Sequence, residues 1–161
     1  MLNGLEKRVD SIQIQPIGLI KNEIDSDDFQ GQWGKVESEL EIRPELAQGL
    51  EGLSDWSHIV VIYQMHQAHF DMEQDLFSRP MDIEGLPEIG IFAQRARQRP
   101  NMIGISAVRV LSVEGNIVRV KGLDALNNTP ILDIKPYAPI YDGVLDPMVP
   151  GWFIRLMQGY F

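Results

Sequence analysis

Three arginines at alternate positions, Arg95, Arg97 and Arg99, precede a Pro100-Asn101 turn. Lys135 follows within Asp133-Ile134-Lys135-Pro136-Tyr137, just after a second turn at Asn127-Asn128-Thr129-Pro130. From Arg95 to Lys135 there are seven basic and three acidic residues, a balance of +4, while the rest of the chain carries −13. A basic region on an acidic body can focus an anionic ligand onto one face. Charge alone leaves a second reading open, in which the arginines decorate solvent-facing strand positions. The overall charge of −9 by itself speaks against a nucleic-acid partner, because non-specific affinity for phosphates needs basic charge. The clustering is what keeps such a partner possible.

A second group of chemistry-bearing residues stands at His66 and Gln67. They follow the apolar run Ile59 to Tyr63, and functional side chains often emerge where a buried strand meets a loop. His66 and His69 lack a third ligand and any HExxH-like spacing, so no metal is expected. The absence of cysteine excludes disulfides and thiolate sites and is compatible with the cytoplasm. Met1 to Asp10 has no apolar signal core, so no export is expected. No run reaches the length of a membrane span, so no membrane partner is expected.

The elements that must position these residues are mostly strands. At 161 residues and 44% hydrophobic content the chain reads as one domain, 1–161, with a core of about 12–142 and a tail over 143–161. Ser11 to Ile20 alternates as a strand interrupted by Pro16. Lys35 to Arg43 alternates most cleanly, with Val36, Ser38, Leu40 and Ile42 on one side and a solvated glutamate row on the other. Pro44 to Leu53 suggests a short helix with Leu46, Leu50 and Leu53 on one face. Ile59 to Tyr63 reads as a buried strand. Gly90 to Ala93 resumes as a strand, Met102 to Val113 is a long one, Glu114-Gly115-Asn116 turns it, and Ile117 to Leu123 returns. Ile131 to Ile134 is one more.

The acidic segment Phe70 to Glu88 has no clear period and reads as a mobile lid, a partner contact or an excursion. Gly31-Gln32-Trp33-Gly34 closes an acidic loop, with Trp33 expected to fold back onto the core or to cover a ligand. Trp152 to Met157 is expected to dock on the body or on a second subunit. About seven strands, mostly hairpin-linked, predict a mainly β fold: a closed or nearly closed barrel with one or two short helices and the long acidic excursion.

Several separated motifs, in order, resemble the TsaA-like or TrmO family of tRNA methyltransferases that use S-adenosylmethionine (SAM). They are Gly-Ile-Phe-Ala-x-Arg-x-x-x-Arg-Pro-Asn-x-Ile-Gly (Gly90 to Gly104), Leu-Asp-x-Leu (Leu123 to Leu126) and Thr-Pro-Ile-Leu-Asp-Ile-Lys-Pro-Tyr (Thr129 to Tyr137). Pro16-Ile17-Gly18, Ser57-His58-Ile59 and His66-Gln67 extend the likeness. The resemblance implies a β-barrel homodimer, a short form without the C-terminal domain of many bacterial members. It implies methyl transfer from SAM to N6 of threonylcarbamoyladenosine beside the tRNA anticodon. It further implies a cofactor pocket of Gln32, Trp33, Gly34, His66, Gln67, Arg95, Ala107, Leu123, Asp124, Ala125 and Leu126. Where the family often has Asp-Gly-Thr-Pro, this chain has Asn127-Asn128-Thr129-Pro130; asparagine tolerates the left-handed conformation that such a turn needs.

Methyl transfer is an in-line displacement that depends chiefly on positioning. A substituted exocyclic nitrogen gains from a base within reach. Asp133, Tyr137 and His66 are the candidates, with Asp133 and Tyr137 first because Pro136 stiffens their segment. The alternatives are that Asp133 pairs with Lys135 or Arg99 and that Tyr137 packs at the barrel mouth. Arg97, Arg99 and Lys135 would hold RNA phosphates, or Arg99 would brace the Pro-Asn turn. Two functions stay open: the SAM-dependent tRNA methyltransferase, and a non-catalytic or differently directed barrel binding SAM or another nucleoside-like ligand.

Overall fold

The computed structural model describes residues 11–29 and 31–161; the expectation for Met1 to Asp10 lies outside them. The strands are β1 (Gly18–Lys21), β2 (Glu37–Ile42), β3 (His58–Gln64), β4 (Phe77–Ser78), β5 (Ile89–Gly90), β6 (Ile103–Glu114), β7 (Ile117–Lys121) and β8 (Pro130–Pro136). Two short helices follow, α1 (Pro139–Asp142) and α2 (Gly151–Leu156). Six of the strands close an antiparallel barrel in the order β1-β2-β7-β6-β3-β8. Each of the six strands thus has a partner on both sides over at least part of its length, the closed barrel that the strand count predicts.

Period-2 alternation builds the interior. Leu40 and Ile42 point inward from β2, Ile59, Val61 and Tyr63 from β3, Val108 from β6, Val118 and Val120 from β7, and Ile131 from β8. Burying each aliphatic side chain contributes roughly 1.5–3 kcal/mol, so these positions hold the barrel closed. The glutamates of β2 face out, as expected; Arg119 on β7 meets Glu39 at 3.1 Å. The β6–β7 hairpin turns at Gly115, whose φ of 61° suits glycine.

Several boundaries differ from the expectation. Only Gly18–Lys21 of the first alternating stretch is strand, and Ile12 and Ile14 are exposed. Pro16 offers no N–H to a ladder, and pairing starts at Ile17, whose N–H donates to the Ile131 carbonyl at 2.8 Å. The expected helix at Pro44 is a 3-10 segment, Pro44–Leu50, followed by a second, Leu53–Asp55, across the left-handed Gly52. Its leucines still pack on the core, Leu50 buried and Leu46 and Leu53 partly so. Gly90 to Ala93 is not a strand beyond Gly90: Ile91–Ala93 forms a 3-10 turn closed by the Gln94 N–H on the Ile91 carbonyl.

The acidic excursion is organised rather than featureless. β4 pairs with β5, and the buried Gln94 side chain donates to the carbonyls of Ser78 and Ile89 at 3.1 and 3.0 Å. No helix among the described residues is long and apolar enough to cross a membrane.

Candidate functional site

The barrel wall is incomplete at one place. β6 pairs with β7 only from Arg109 onward, so Ile103 to Val108 is bonded in the sheet to β3 alone. Opposite this open edge the chain leaves β7 through Gly122, at φ 91°, and runs on as Leu123 to Leu126. Leu123 and Ala125 are buried in the core. The alternation therefore turns Asp124 the other way, into the gap.

Asp124 is the centre of a hydroxyl cluster. Ser106, which points inward from β6, donates a hydrogen bond to Asp124 Oδ1. The Tyr63 phenol lies 3.2 Å from the same oxygen, 3.1 Å from the Asp124 carbonyl and 3.2 Å from Ser106 Oγ. Tyr63 reaches this position because Gly104, its partner across the β3–β6 pair, has no side chain; a Cβ there would overlap the ring. The register shifts between Ile62 and Tyr63, where Leu132 of β8 is the extra residue. Bulges of this kind re-aim side chains beside sites.

Burial holds the Asp124 carboxyl above the usual carboxylate range, although its hydroxyl donors pull the other way. Burial, reinforced by the Asp124 charge, also pushes the Tyr63 phenol well up. Tyr63 therefore stays protonated at neutral pH and can act only as a hydroxyl.

A second tyrosine arrives from the far end of the chain. Tyr160 donates to Asp124 Oδ2 at 3.3 Å. Burial first, and then the Asp124 charge, raise its phenol too, while Arg95 lowers it. Arg95 is anchored on the open edge by a hydrogen bond to the Ile105 carbonyl at 3.2 Å. The Trp33 N–H donates to the Tyr160 carbonyl at 2.9 Å. The Trp33 ring itself packs edge-on against Phe29 at 4.8 Å.

His66 and Gln67 stand on the flank. His66 Nδ1 lies 3.2 Å from Thr129 Oγ1, and Gln67 donates to the Asp25 carbonyl at 3.4 Å. His66 thereby joins the turn that follows Asp124, and Gln67 joins the Asp25 loop that packs on it. In that turn Asn128 holds φ 60°, the left-handed conformation expected of it. Asn127 anchors the turn by donating its side-chain amide to Asp25 Oδ1 at 2.9 Å.

The structure thus brings together Trp33, Gly34, Arg95 and Asp124, with His66 and Gln67 beside them and Gln32 in the same loop. Leu126 closes the turn, accepting the Thr129 N–H at 3.3 Å. Other expected members lie elsewhere. Ala107 is exposed on the outer face of β6, one residue from the inward Ser106, because alternation reverses at each step. Leu123 and Ala125 serve the core, and only their backbones border the gap.

Asp133 and Tyr137 are not at this cluster. Asp133 pairs with Lys135 at 2.7 Å and borders a hollow lined by Leu46, Leu53, Trp56 and Pro136. The Tyr137 N–H donates to the His58 carbonyl, at the other end of β3 from Tyr63. Five residues of strand separate those levels by roughly 16 Å. Arg97 forms an ion pair with Asp27. The Arg99 guanidinium donates to the carbonyls of Ile91 and Gln94 at 3.2 and 2.8 Å, so it braces the segment before Pro100-Asn101.

Ser106, Tyr63 and Tyr160 were missed as site residues. Strand alternation could have found Ser106, since it shares parity with the inward Val108. Tyr63 read as core, and Tyr160 lies in a segment with no pattern of its own. Among the described residues no group of three or more His, Asp or Glu is placed to hold a metal ion.

Residues 28–143 match the family described as the tRNA-methyltransferase O N-terminal domain. A Pyrococcus abyssi protein named "Probable S-adenosyl-L-methionine-binding protein" is 43% identical over 117 residues, 73% of this chain and 60% of that one. The human tRNA (adenine(37)-N6)-methyltransferase is 33% identical over 102 residues, 63% of this chain and 22% of that one. The crystal structure of TrmO from Pseudomonas aeruginosa superposes with a TM-score of 0.67 at 32% identity, over 86% of this chain and 61% of that one. The chain thus spans about three fifths of the archaeal relative and of the solved structure, and about a fifth of the human enzyme. By the extent of the match, the chain belongs to the tRNA-methyltransferase O N-terminal domain family.

Proposed function

We propose that the gap at Asp124 is a SAM pocket and that the chain methylates N6 of an adenosine next to the tRNA anticodon, threonylcarbamoyladenosine in particular. The observation that carries this reading is the placement of a half-buried carboxylate, Asp124, between an open strand edge, Arg95 and the Trp33-Gly34 backbone. The residues fit a nucleoside. Asp124 Oδ2 can accept from a ribose hydroxyl, and the Gly34 face would be filled by any side chain placed there. Bound SAM supplies a methyl group on a sulfonium centre.

The chain's own contribution is then to fix and enclose. Ser106 and Tyr63 hold the Asp124 carboxylate in one orientation by charge-assisted hydrogen bonds. Fixing the donor beside its acceptor removes much of the entropic part of the barrier. With Asp133 on the strand face opposite Tyr63 and Tyr137 at the other end of β3, the geometry supports transfer by positioning over a base drawn from that segment.

The exposed ion pairs Arg97–Asp27 and Lys135–Asp133 are weak enough for RNA phosphates to compete for both cations. Ile140, Tyr141, Leu145 and Met148 are each at least 88% exposed. Such a run favours burial against a second copy, in line with a homodimer working in the cytoplasm. The displaced position of Asp133 and Tyr137 also favours a second reading, in which the barrel binds SAM without transferring its methyl group.

Nucleoside mass spectrometry of tRNA from a strain lacking the gene separates these readings. Loss of the methylated threonylcarbamoyladenosine is expected. Unchanged modification would assign the cleft another acceptor, or none.

A further inference from the structure

The segment after α2 is built into the cleft, and its contacts coincide with those a ligand would need. Tyr160 takes Asp124 Oδ2, the carboxylate oxygen that Ser106 and Tyr63 leave over. Its carbonyl takes the Trp33 N–H. The Phe161 backbone lies on the bare face of Gly34, where a Cβ would come within 2.6 Å of the Phe161 carbonyl carbon. The Tyr160 and Phe161 rings pack edge-on at 4.9 Å, which ties the two residues into one unit. Arg95 acts on the Tyr160 phenol as well. One dipeptide therefore occupies the carboxylate, the loop backbone and the neighbourhood of the arginine.

These contacts are also of the kind that can be exchanged. The phenol bond to Asp124 is long, at 3.3 Å, and Phe161 is 63% exposed. Nothing in the core rests on either residue. An aromatic ring carrying a hydroxyl is a fair mimic of a nucleoside, with its base and ribose hydroxyls. Two groups cannot share the Gly34 face.

We propose that Tyr160-Phe161 is an internal competitor for the SAM pocket: it satisfies Asp124 and the Trp33-Gly34 backbone in the free protein and must leave when SAM enters. This rests on the SAM reading above. It makes the apparent affinity for SAM a product of intrinsic affinity and the fraction of molecules with the segment displaced. A partner that draws the segment away, such as bound RNA, would raise the affinity without touching the pocket.

The test uses the full chain and SAM itself. Calorimetry compares the wild type with Tyr160→Phe, which removes only the hydroxyl, and Tyr160→Ala, which removes the ring. We expect SAM to bind about threefold tighter to the first and at least tenfold tighter to the second. Hydrogen exchange provides the independent readout: the amides of residues 158–161 should exchange faster when the wild type is saturated with SAM. Equal or weaker binding by both variants, or slower exchange of the segment with SAM, would overturn the proposal while leaving the SAM reading intact. In that case the segment would be a wall of the occupied pocket. Absence of SAM binding in all three proteins would overturn both.

Discussion

Tyr63 and Asp124 lie 61 residues apart in the chain, yet the phenol of one rests 3.2 Å from the carboxylate of the other. This contact joins the inside of the barrel to its opening. Tyr63 projects from β3 over the bare backbone of Gly104 and meets the segment that leaves β7. Replacing Tyr63 by Phe keeps the ring and removes the hydroxyl. It should cost about 1–2 kcal/mol, since the Asp124 carbonyl and one carboxylate oxygen lose a donor. Urea unfolding measures this, and SAM binding should weaken in parallel.

Gly104→Ala is expected to do more harm. The added methyl group would overlap the Tyr63 ring, and neither strand can retreat without breaking the β3–β6 ladder. Overpacking of this kind costs about 1–3 kcal/mol. The same substitution at Gly49, where nothing lies within 4 Å, should leave the melting temperature nearly unchanged.

Asp124 also predicts a pH dependence. Burial raises its pKa in the folded state, so the native protein keeps this proton to higher pH than the unfolded chain. Where the native state binds more protons, stability falls as pH rises. The loss spans the interval from the ordinary carboxylate pKa up to the raised native one and is complete above it. Asp124→Asn removes this component. Melting curves of the two proteins should be closest in acid and diverge as pH rises, with the variant the more stable at neutral pH. Divergence of the opposite sign would place the carboxylate in a favourable rather than a desolvated setting.

Gln94 makes a separable prediction. Its buried amide is shared by Ser78 and Ile89. Gln94→Ala should release the β4–β5 hairpin, costing about 1–3 kcal/mol for the unpaired groups. Limited proteolysis should then cut within residues 70–88, with the barrel intact.

For RNA, Arg97→Ala together with Lys135→Ala should reduce the slope of log affinity against log salt. Each lost phosphate contact is worth roughly 0.7–0.9 in that slope. An unaltered slope for tRNA would return both side chains to their partners Asp27 and Asp133.

The barrel was legible because its strands alternate. Leu40 and Ile42 in β2, and Ile59 and Val61 in β3, follow the period of 2 and are buried as that period requires. Backbone events without a side-chain period were not. Pro16 delayed β1, and the turn at Ile91–Ala93 replaced a strand although its residues are apolar. The candidate site was legible in part, since the family motifs single out Arg95, His66-Gln67 and Asp124, which the fold sets around one opening. Its remaining members depended on parity and on long-range closure. Ser106 and Ala107 differ by one step, and the parity Ser106 shares with the inward Val108 decides that it, and not Ala107, faces the gap. Tyr160 is brought in by the closing stretch of the chain, and no local pattern announces such a contact. Asp133 and Tyr137 looked poised because Pro136 stiffens them, but Asp133 pairs with Ile62, on the strand face opposite Tyr63, and Tyr137 lies at the His58 end of β3.

Calorimetric titration of SAM into the wild type and into Asp124→Ala tests the central claim most directly. Wild-type protein should bind with measurable heat, and the variant, folded by circular dichroism, should bind at least tenfold more weakly, about 1.4 kcal/mol. No heat with the wild type, or equal affinity in the variant, would contradict the assignment of the Asp124 cleft.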